Sequence, residues 1–235
     1  MSWPRFDGWV PAGTIADRET LSFMKIDKSA MAIKLVVLCT AAVLAACGES
    51  SRPAAVAPTG DVAKDVTYIF STKDLDEKDA RLIAAAGAGN LAELVRAIDE
   101  GASIDAADKL KRTAIFAAAF TNRPAVIKEL AGRGARIDGK DAAGMSPLHA
   151  AVAAGSGDAL LALIKLRADV NVRDVSGRTP LHIAAATNQS SLVDLLLTHG
   201  ANPKLVDRNG MTAAALARDH GHATLGDHIQ SRTRS

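Results

Sequence analysis

Aromatic residues are scarce in this chain: five Phe, two Trp and one Tyr make up 3% of 235 residues. A core with so few large rings has to be built from Ala, Leu, Ile and Val, which suits thin layers of slim helices. Only two cysteines occur, Cys39 and Cys47. The residues that follow Cys47 therefore cannot form a disulfide or a cysteine-based metal site among themselves.

An excess of charge is also missing, because 28 basic residues face 26 acidic ones and the formal net charge is +2. Such a balance gives no general attraction to nucleic acid, so we do not expect a nucleic-acid partner. The sequence contains no GxSxG, P-loop or HExxH motif. We therefore expect no enzymatic activity, no catalytic residue, no cofactor and no metal site.

The apolar run at residues 35–46 is too short to span a bilayer, which takes about 20 residues. Its length and the preceding Lys34 fit the core of a secretory signal, which needs roughly 7–15 apolar residues. The run ends in Leu44-Ala-Ala-Cys47, which resembles the lipobox of bacterial lipoproteins. The resemblance implies cleavage before Cys47 and lipidation of its thiol. An ordinary cleaved signal, or a buried apolar segment with an incidental cysteine, is the alternative.

Gly48 follows the cysteine, where lipoproteins kept in the inner membrane tend to carry Asp. The resemblance thus implies a lipid anchor in the outer membrane of a bacterial cell envelope, facing the periplasm. The acidic stretch at residues 1–23 is atypical for a signal peptide, so translation could begin at Met24 or Met31.

Three regions follow from this organisation. Residues 1–46 form an N-terminal extension and signal peptide. Residues 47–73 carry the lipidated cysteine and a tether, because residues 48–66 are rich in Ser, Pro, Gly and Ala and lack a helical or strand period. Residues 74–235 form the folded domain.

A period of 33 residues recurs in that domain in three residue types. It relates Asp108, Asp141, Asp174 and Asp207; Thr113, Ser146, Thr179 and Thr212; and Gly144, Gly177 and Gly210. The segments Ser146-Pro-Leu-His149 and Thr179-Pro-Leu-His182 resemble the opening of ankyrin repeats. The resemblance implies an all-α solenoid of about five helix-turn-helix units with hairpin loops. The units would cover about residues 74–107, 108–140, 141–173, 174–206 and 207–235.

The motif residues have local roles that explain their spacing. A Thr or Ser hydroxyl caps the first turn of a helix, and proline fits the first helical position. Gly101, Gly134 and Gly200 suit a left-handed helix end, whereas Arg167 takes that place in the third unit at a cost of about 1 kcal/mol. The resemblance implies that the four Asp residues brace turns and that His149 and His182 form hydrogen bonds in the hairpin turns.

Ankyrin repeats usually bind a partner protein through hairpin turns and the exposed face of the inner helices, which together form a concave surface. Every turn here carries a basic residue, which predicts a basic ribbon along one edge and an acidic partner. Met145, Met211 and Phe120 would add apolar anchors. The predicted partner-binding residues are Lys109, Arg112, Phe120, Lys140, Met145, Arg173, Arg178, Arg208 and Met211. The alternative is that these cations are merely solvated loop residues.

The sequence favours a monomeric scaffold that is anchored to the membrane in the periplasm and binds a protein partner. Two alternatives remain. The chain could be an immunity protein that neutralises a toxin delivered to the periplasm, or a cytoplasmic, effector-like ankyrin protein without a lipid.

Overall fold

The computed structural model describes Phe70 and residues 75–232. Ten α-helices and two isolated β-bridges, but no strand, lie in this part of the chain. The helices are α1 Glu77–Ala88, α2 Leu91–Asp99, α3 Ala114–Phe120, α4 Pro124–Gly132, α5 Pro147–Ala153, α6 Gly157–Lys165, α7 Pro180–Ala186, α8 Ser190–Thr198, α9 Ala213–Asp219 and α10 Ala223–Ser231. They form five contacting pairs that follow one another along the chain. The all-α solenoid expected from the sequence is confirmed.

The predicted signal run at residues 35–46 and Cys47 lie outside the described residues. Within residues 75–232, no helix combines the length and the apolar character that crossing a bilayer requires.

The odd-numbered helices are the inner helices, and each contacts the next one in a continuous stack. A column of alanines with the 33-residue spacing lies where they meet: Ala85, Ala118, Ala151, Ala184 and Ala217, all buried. Because alanine has only a methyl side chain, consecutive inner helices can approach closely. This explains how the chain builds a continuous core with almost no aromatic residues.

The even-numbered helices are the outer helices, and they cover the inner stack with larger side chains. Their buried columns also repeat every 33 residues: Leu94, Ile127, Leu160 and Val193, and Leu130, Leu163, Leu196 and Ile229. Burying such a side chain contributes about 1.5–3 kcal/mol. Since each repeat buries its apolar face only against its neighbours, the stack is stabilised as one body.

Helix starts and ends follow the local roles expected from the sequence. Thr212 Oγ1 accepts a hydrogen bond from the backbone N–H of Ala215 at 3.2 Å, which caps α9. Ser146 and Thr179 form capping boxes with the histidines three residues later. Arg167 has a φ of +70°, which confirms that it takes the left-handed position that glycine occupies in other repeats.

The two ends of the stack are closed by different contacts. At the N-terminal end, Phe70 is 1% exposed, joins the hydrophobic core and lies 4.6 Å below the Arg112 guanidinium. The predicted packing of Phe70 on the first repeats is confirmed. At the C-terminal end, Arg218 lies over Gly226 and pairs with Asp227 at 2.8 Å. The last repeat is thereby covered by a polar pair rather than by an exposed apolar face.

Candidate protein-binding surface

Four hairpin turns precede helices α3, α5, α7 and α9, and each begins with one of the periodic aspartates. We number them the first turn (108–112), the second (141–145), the third (174–178) and the fourth (207–211). In every turn the Asp Oδ1 accepts hydrogen bonds from the backbone N–H groups two and four residues later, at 2.8–2.9 Å. The bracing role that the resemblance implied for these aspartates is confirmed.

The turns are joined to one another through their backbones. Ala142 N–H donates to Leu110 O at 2.8 Å, Val175 N–H to Ala143 O at 3.1 Å, and Arg208 N–H to Ser176 O at 2.9 Å. Gly144 has a φ of +73°, and a Cβ there would lie 2.9 Å from Val175 N, so the close approach requires glycine. The four turns therefore form one continuous edge, which we call the turn edge.

Two histidines fasten inner helices to this edge. His149 Nδ1 accepts from the Ser146 backbone N–H at 3.1 Å, and its Nε2–H donates to Arg178 O at 3.0 Å. His182 makes the matching bonds with Thr179 and with Met211 O, at 3.2 Å and 3.1 Å. Each histidine thus reaches into the turn of the following repeat, which goes beyond the hydrogen bond expected from the sequence.

Burial keeps both imidazoles neutral. It lowers the pKa of His149 to about 4, against a smaller opposing effect of the bond to the Arg178 carbonyl. Burial also lowers the pKa of His182. A neutral ring with its proton on Nε2 is the form that can accept at Nδ1 and donate at Nε2 at once.

The residue four positions after each turn Asp alternates between arginine and methionine. Arg112 pairs with Asp108 at 2.6 Å, and Arg178 pairs with Asp174 at 3.0 Å. Their side chains are only 14% and 17% exposed. The structure thus places these two predicted binding residues in internal ion pairs, so they are not surface cations of the ribbon.

Met145 and Met211 take the same position in the second and fourth turns, where they are half-buried. Within residues 75–232, Asp141 receives hydrogen bonds on Oδ1 and none on Oδ2. Burial raises the pKa of Asp141, although the N–H groups of Met145 and Ala143 oppose the shift. The second turn therefore holds a carboxylate that lacks the cation found in the first and third turns.

The predicted cations Lys140 and Arg173 are exposed on the turn edge. Lys140 Nζ donates to Arg173 O at 2.9 Å, and the Arg173 guanidinium donates to Val206 O. Because both acceptors are neutral carbonyls, these side chains keep their positive charge at the surface. Lys109 and Arg208 are exposed on the first and fourth turns.

The inner face of the stack is lined by the last residues of the inner helices. One column consists of Phe120, Ala153, Ala186 and Asp219, which are 33 residues apart. The hydroxyls of Thr121 and Thr187 donate to carbonyls of their own helices, Ala117 O at 2.9 Å and Ile183 O at 2.8 Å. Phe120 is half-buried and is the largest apolar side chain in this column. The face between the Phe120 ring and the far end is smooth and uncharged up to Asp219.

Within the part of the chain that the structure describes, no three His, Cys, Asp or Glu side chains come together as metal ligands. Near the C-terminus, His228 Nε2 instead lies 2.6 Å from Asp194 Oδ1 on the preceding outer helix.

Comparison with known families agrees with this geometry. A family model described as ankyrin repeats in three copies matches residues 82–174 and 167–226, more than half of the chain. The chain belongs to the ankyrin repeat family. No curated protein matches it. Ankyrin repeats typically act as protein-interaction scaffolds, which indicates that this ankyrin repeat protein binds another protein, and nothing found indicates an enzyme.

Proposed function

We propose that this ankyrin repeat protein is a periplasmic scaffold, anchored to the membrane through a lipid on Cys47, that binds an acidic partner protein. The contact surface consists of the turn edge and the inner face. The observation that carries the proposal is the state of Lys140 and Arg173, whose charges are fixed on the edge by neutral carbonyls. Such uncompensated cations attract and orient an acidic surface.

Met145 and Met211 support the same surface. At the equivalent position, Arg112 and Arg178 neutralise the turn Asp, so methionine gives up an available ion pair. Local features that forgo stability are expected where a surface serves binding. Methionine is flexible and polarisable, and it adapts to the shape of a partner. The two methionines therefore act as apolar anchors beside the cations.

Lipidation at Cys47 supplies the membrane anchor in this proposal. The Leu44-Ala-Ala-Cys47 sequence supports it, and 22 residues separate Cys47 from the buried Phe70. A flexible chain of that length spans roughly 25–30 Å on average. The binding surface would thus stay close to the membrane while reaching partners in the periplasm.

The docking surface is tested by reversing its charges in the full-length protein. We expect Lys140→Glu/Arg173→Glu/Arg208→Glu to lose the partner captured from an envelope extract at low salt. The matched control reverses Lys128, Lys165 and Lys204, which are equally exposed but lie off the turn edge. Unchanged capture by the first variant, or equal loss from the control, would show that the turn edge is not the docking surface.

The anchor is tested by metabolic labelling with a palmitate analogue. We expect the native chain and the Cys39→Ala variant to take up the label and to fractionate with membranes. The Cys47→Ala variant should lose both properties. A label that survives Cys47→Ala, or a native chain that takes up none, would reject the anchor and favour the cytoplasmic alternative.

A further inference from the structure

The two best-fixed cations of the turn edge occupy equivalent places in consecutive repeats. Lys140 and Arg173 are 33 residues apart, and each binds the backbone carbonyl of the residue 33 positions further on, in residues 173 and 206. The two cations therefore lie one repeat apart along the edge. Their bonds to carbonyls hold both long side chains in place before a partner arrives, which reduces the entropy lost on binding.

The distance between repeats follows from helix packing. Consecutive inner helices contact each other directly, and packed helices lie about 8–10 Å apart. The backbone hydrogen bonds from Ala142 to Leu110 and from Val175 to Ala143 tie the turns together in the same stack. The edge thus presents positive charges at a fixed interval of about 8–10 Å.

Few peptide conformations place side chains of one face at that interval. In a β-strand, same-face side chains repeat at about 6.6 Å. In an α-helix, residues four apart are separated by about 6 Å along the axis. A polyproline II helix has three residues per turn and a rise of about 3.1 Å, so every third side chain returns to the same face after about 9.3 Å.

We propose that the turn edge binds a polyproline II segment of its partner in which every third residue is acidic. This inference rests on the proposed function and names the conformation of the acidic partner. Val175, which is 50% exposed, lies between the two cations on the third turn and offers an apolar contact for the intervening residues. A polyproline II segment is already extended in solution, so little ordering is needed when it docks.

The test uses synthetic peptides and fluorescence anisotropy with the full-length protein at low salt. The first peptide is Glu-Pro-Pro-Glu-Pro-Pro-Glu. The control peptide has the same composition with its three glutamates adjacent, followed by four prolines. Because an exposed ion pair contributes only modestly, we expect the first peptide to bind about fivefold more tightly than the control. Equal affinities, or no binding of either peptide, would overturn the inference.

Two charge-reversal variants separate this inference from the proposed function. Lys140→Glu/Arg173→Glu should abolish the difference between the peptides, whereas Lys128→Glu/Lys165→Glu on the outer helices should preserve it. If the peptides bind equally and Lys140→Glu/Arg173→Glu weakens both, the spacing is wrong but an acidic partner on this edge stands. If that variant changes neither affinity, the docking surface of the proposed function fails as well.

Discussion

The fourth residue after each turn Asp decides how that buried carboxylate is balanced. Arg112 and Arg178 supply a cation in the first and third turns, whereas Met145 and Met211 do not in the second and fourth. The alternation follows the chain at a spacing of two repeats. It divides the turns into two that are stabilised internally and two that present a soft apolar group.

Restoring the cation should stabilise the second turn. We expect Met145→Arg to raise the free energy of unfolding by about 0.5–1 kcal/mol, because a guanidinium can reach Asp141 as Arg178 reaches Asp174. Urea denaturation at neutral pH measures the change, with Met145→Leu as the control that keeps volume without charge. A gain of the same size in both variants would assign the effect to packing rather than to the ion pair.

His149 should make the stack sensitive to acid. Its pKa of about 4 in the folded chain lies below the ordinary value of 6.5, so the unfolded chain binds more protons between these two values. Stability contributed by this group is therefore complete above pH 6.5 and falls as the pH drops toward 4, by about 3 kcal/mol in total. We expect His149→Phe to unfold with a shallower pH dependence than the native chain over that range.

The fold already accepts the replacement residue, because Phe116 occupies the matching position in the second repeat. There, the buried hydroxyl of Thr113 has no hydrogen-bond partner, which shows what the histidine normally satisfies. His149→Phe should accordingly be less stable than the native chain at pH 7. Identical pH profiles for the two proteins would contradict the role of His149.

At the scale of the helix, the ends of the outer helices show how much one backbone position matters. Arg167 adopts φ of +70° after α6, whereas Gly200 adopts φ of +91° at the equivalent place after α8. A side chain in the left-handed region is strained, and glycine is not.

Exchanging these residues should shift stability in opposite directions. We expect Arg167→Gly to raise, and Gly200→Arg to lower, the free energy of unfolding by about 0.5–1 kcal/mol. A Cβ at Gly200 would meet no atom within 4 Å, so the expected loss comes from the backbone and not from a clash. Thermal unfolding of both variants measures the pair, and changes of the same sign would refute the explanation.

The sequence predicts the helical elements well because the 33-residue register repeats in the turn aspartates, the capping residues and the glycines. It predicts the surface chemistry less well. The Asp-x-x-x-Arg spacing at Asp108 and Asp174 is visible in the sequence, but it takes the folded turn to bring the two side chains into contact. The packing of Phe70 under Arg112 joins residues from different parts of the chain, so only the assembled stack reveals it.

At the scale of the whole molecule, two phenylalanines have separate tasks. Phe70 is buried at the N-terminal end of the stack, while Phe120 is half-buried on the inner face. One completes the core, and the other is available to a partner.

We therefore expect opposite profiles from two alanine variants. Phe70→Ala should lower the free energy of unfolding by about 3 kcal/mol, because it empties a closed site in the core. Phe120→Ala should cost only about 1 kcal/mol of stability but should weaken partner binding about tenfold. Denaturant titration and capture from envelope extract measure the two effects. Equal stability losses would show that Phe120 belongs to the core rather than to the binding surface.

The backbone bonds between turns also give the array a direction in which it can grow. The carbonyls of Leu110, Ala143 and Ser176 each accept the N–H of the next turn, and Asn209 O holds the corresponding place in the fourth turn. Among residues 75–232 no fifth turn meets it. A further module grafted after the fourth repeat would find its docking acceptor ready. The length of sequence that the protein reads could then be extended in fixed increments of about three ligand residues for each module added.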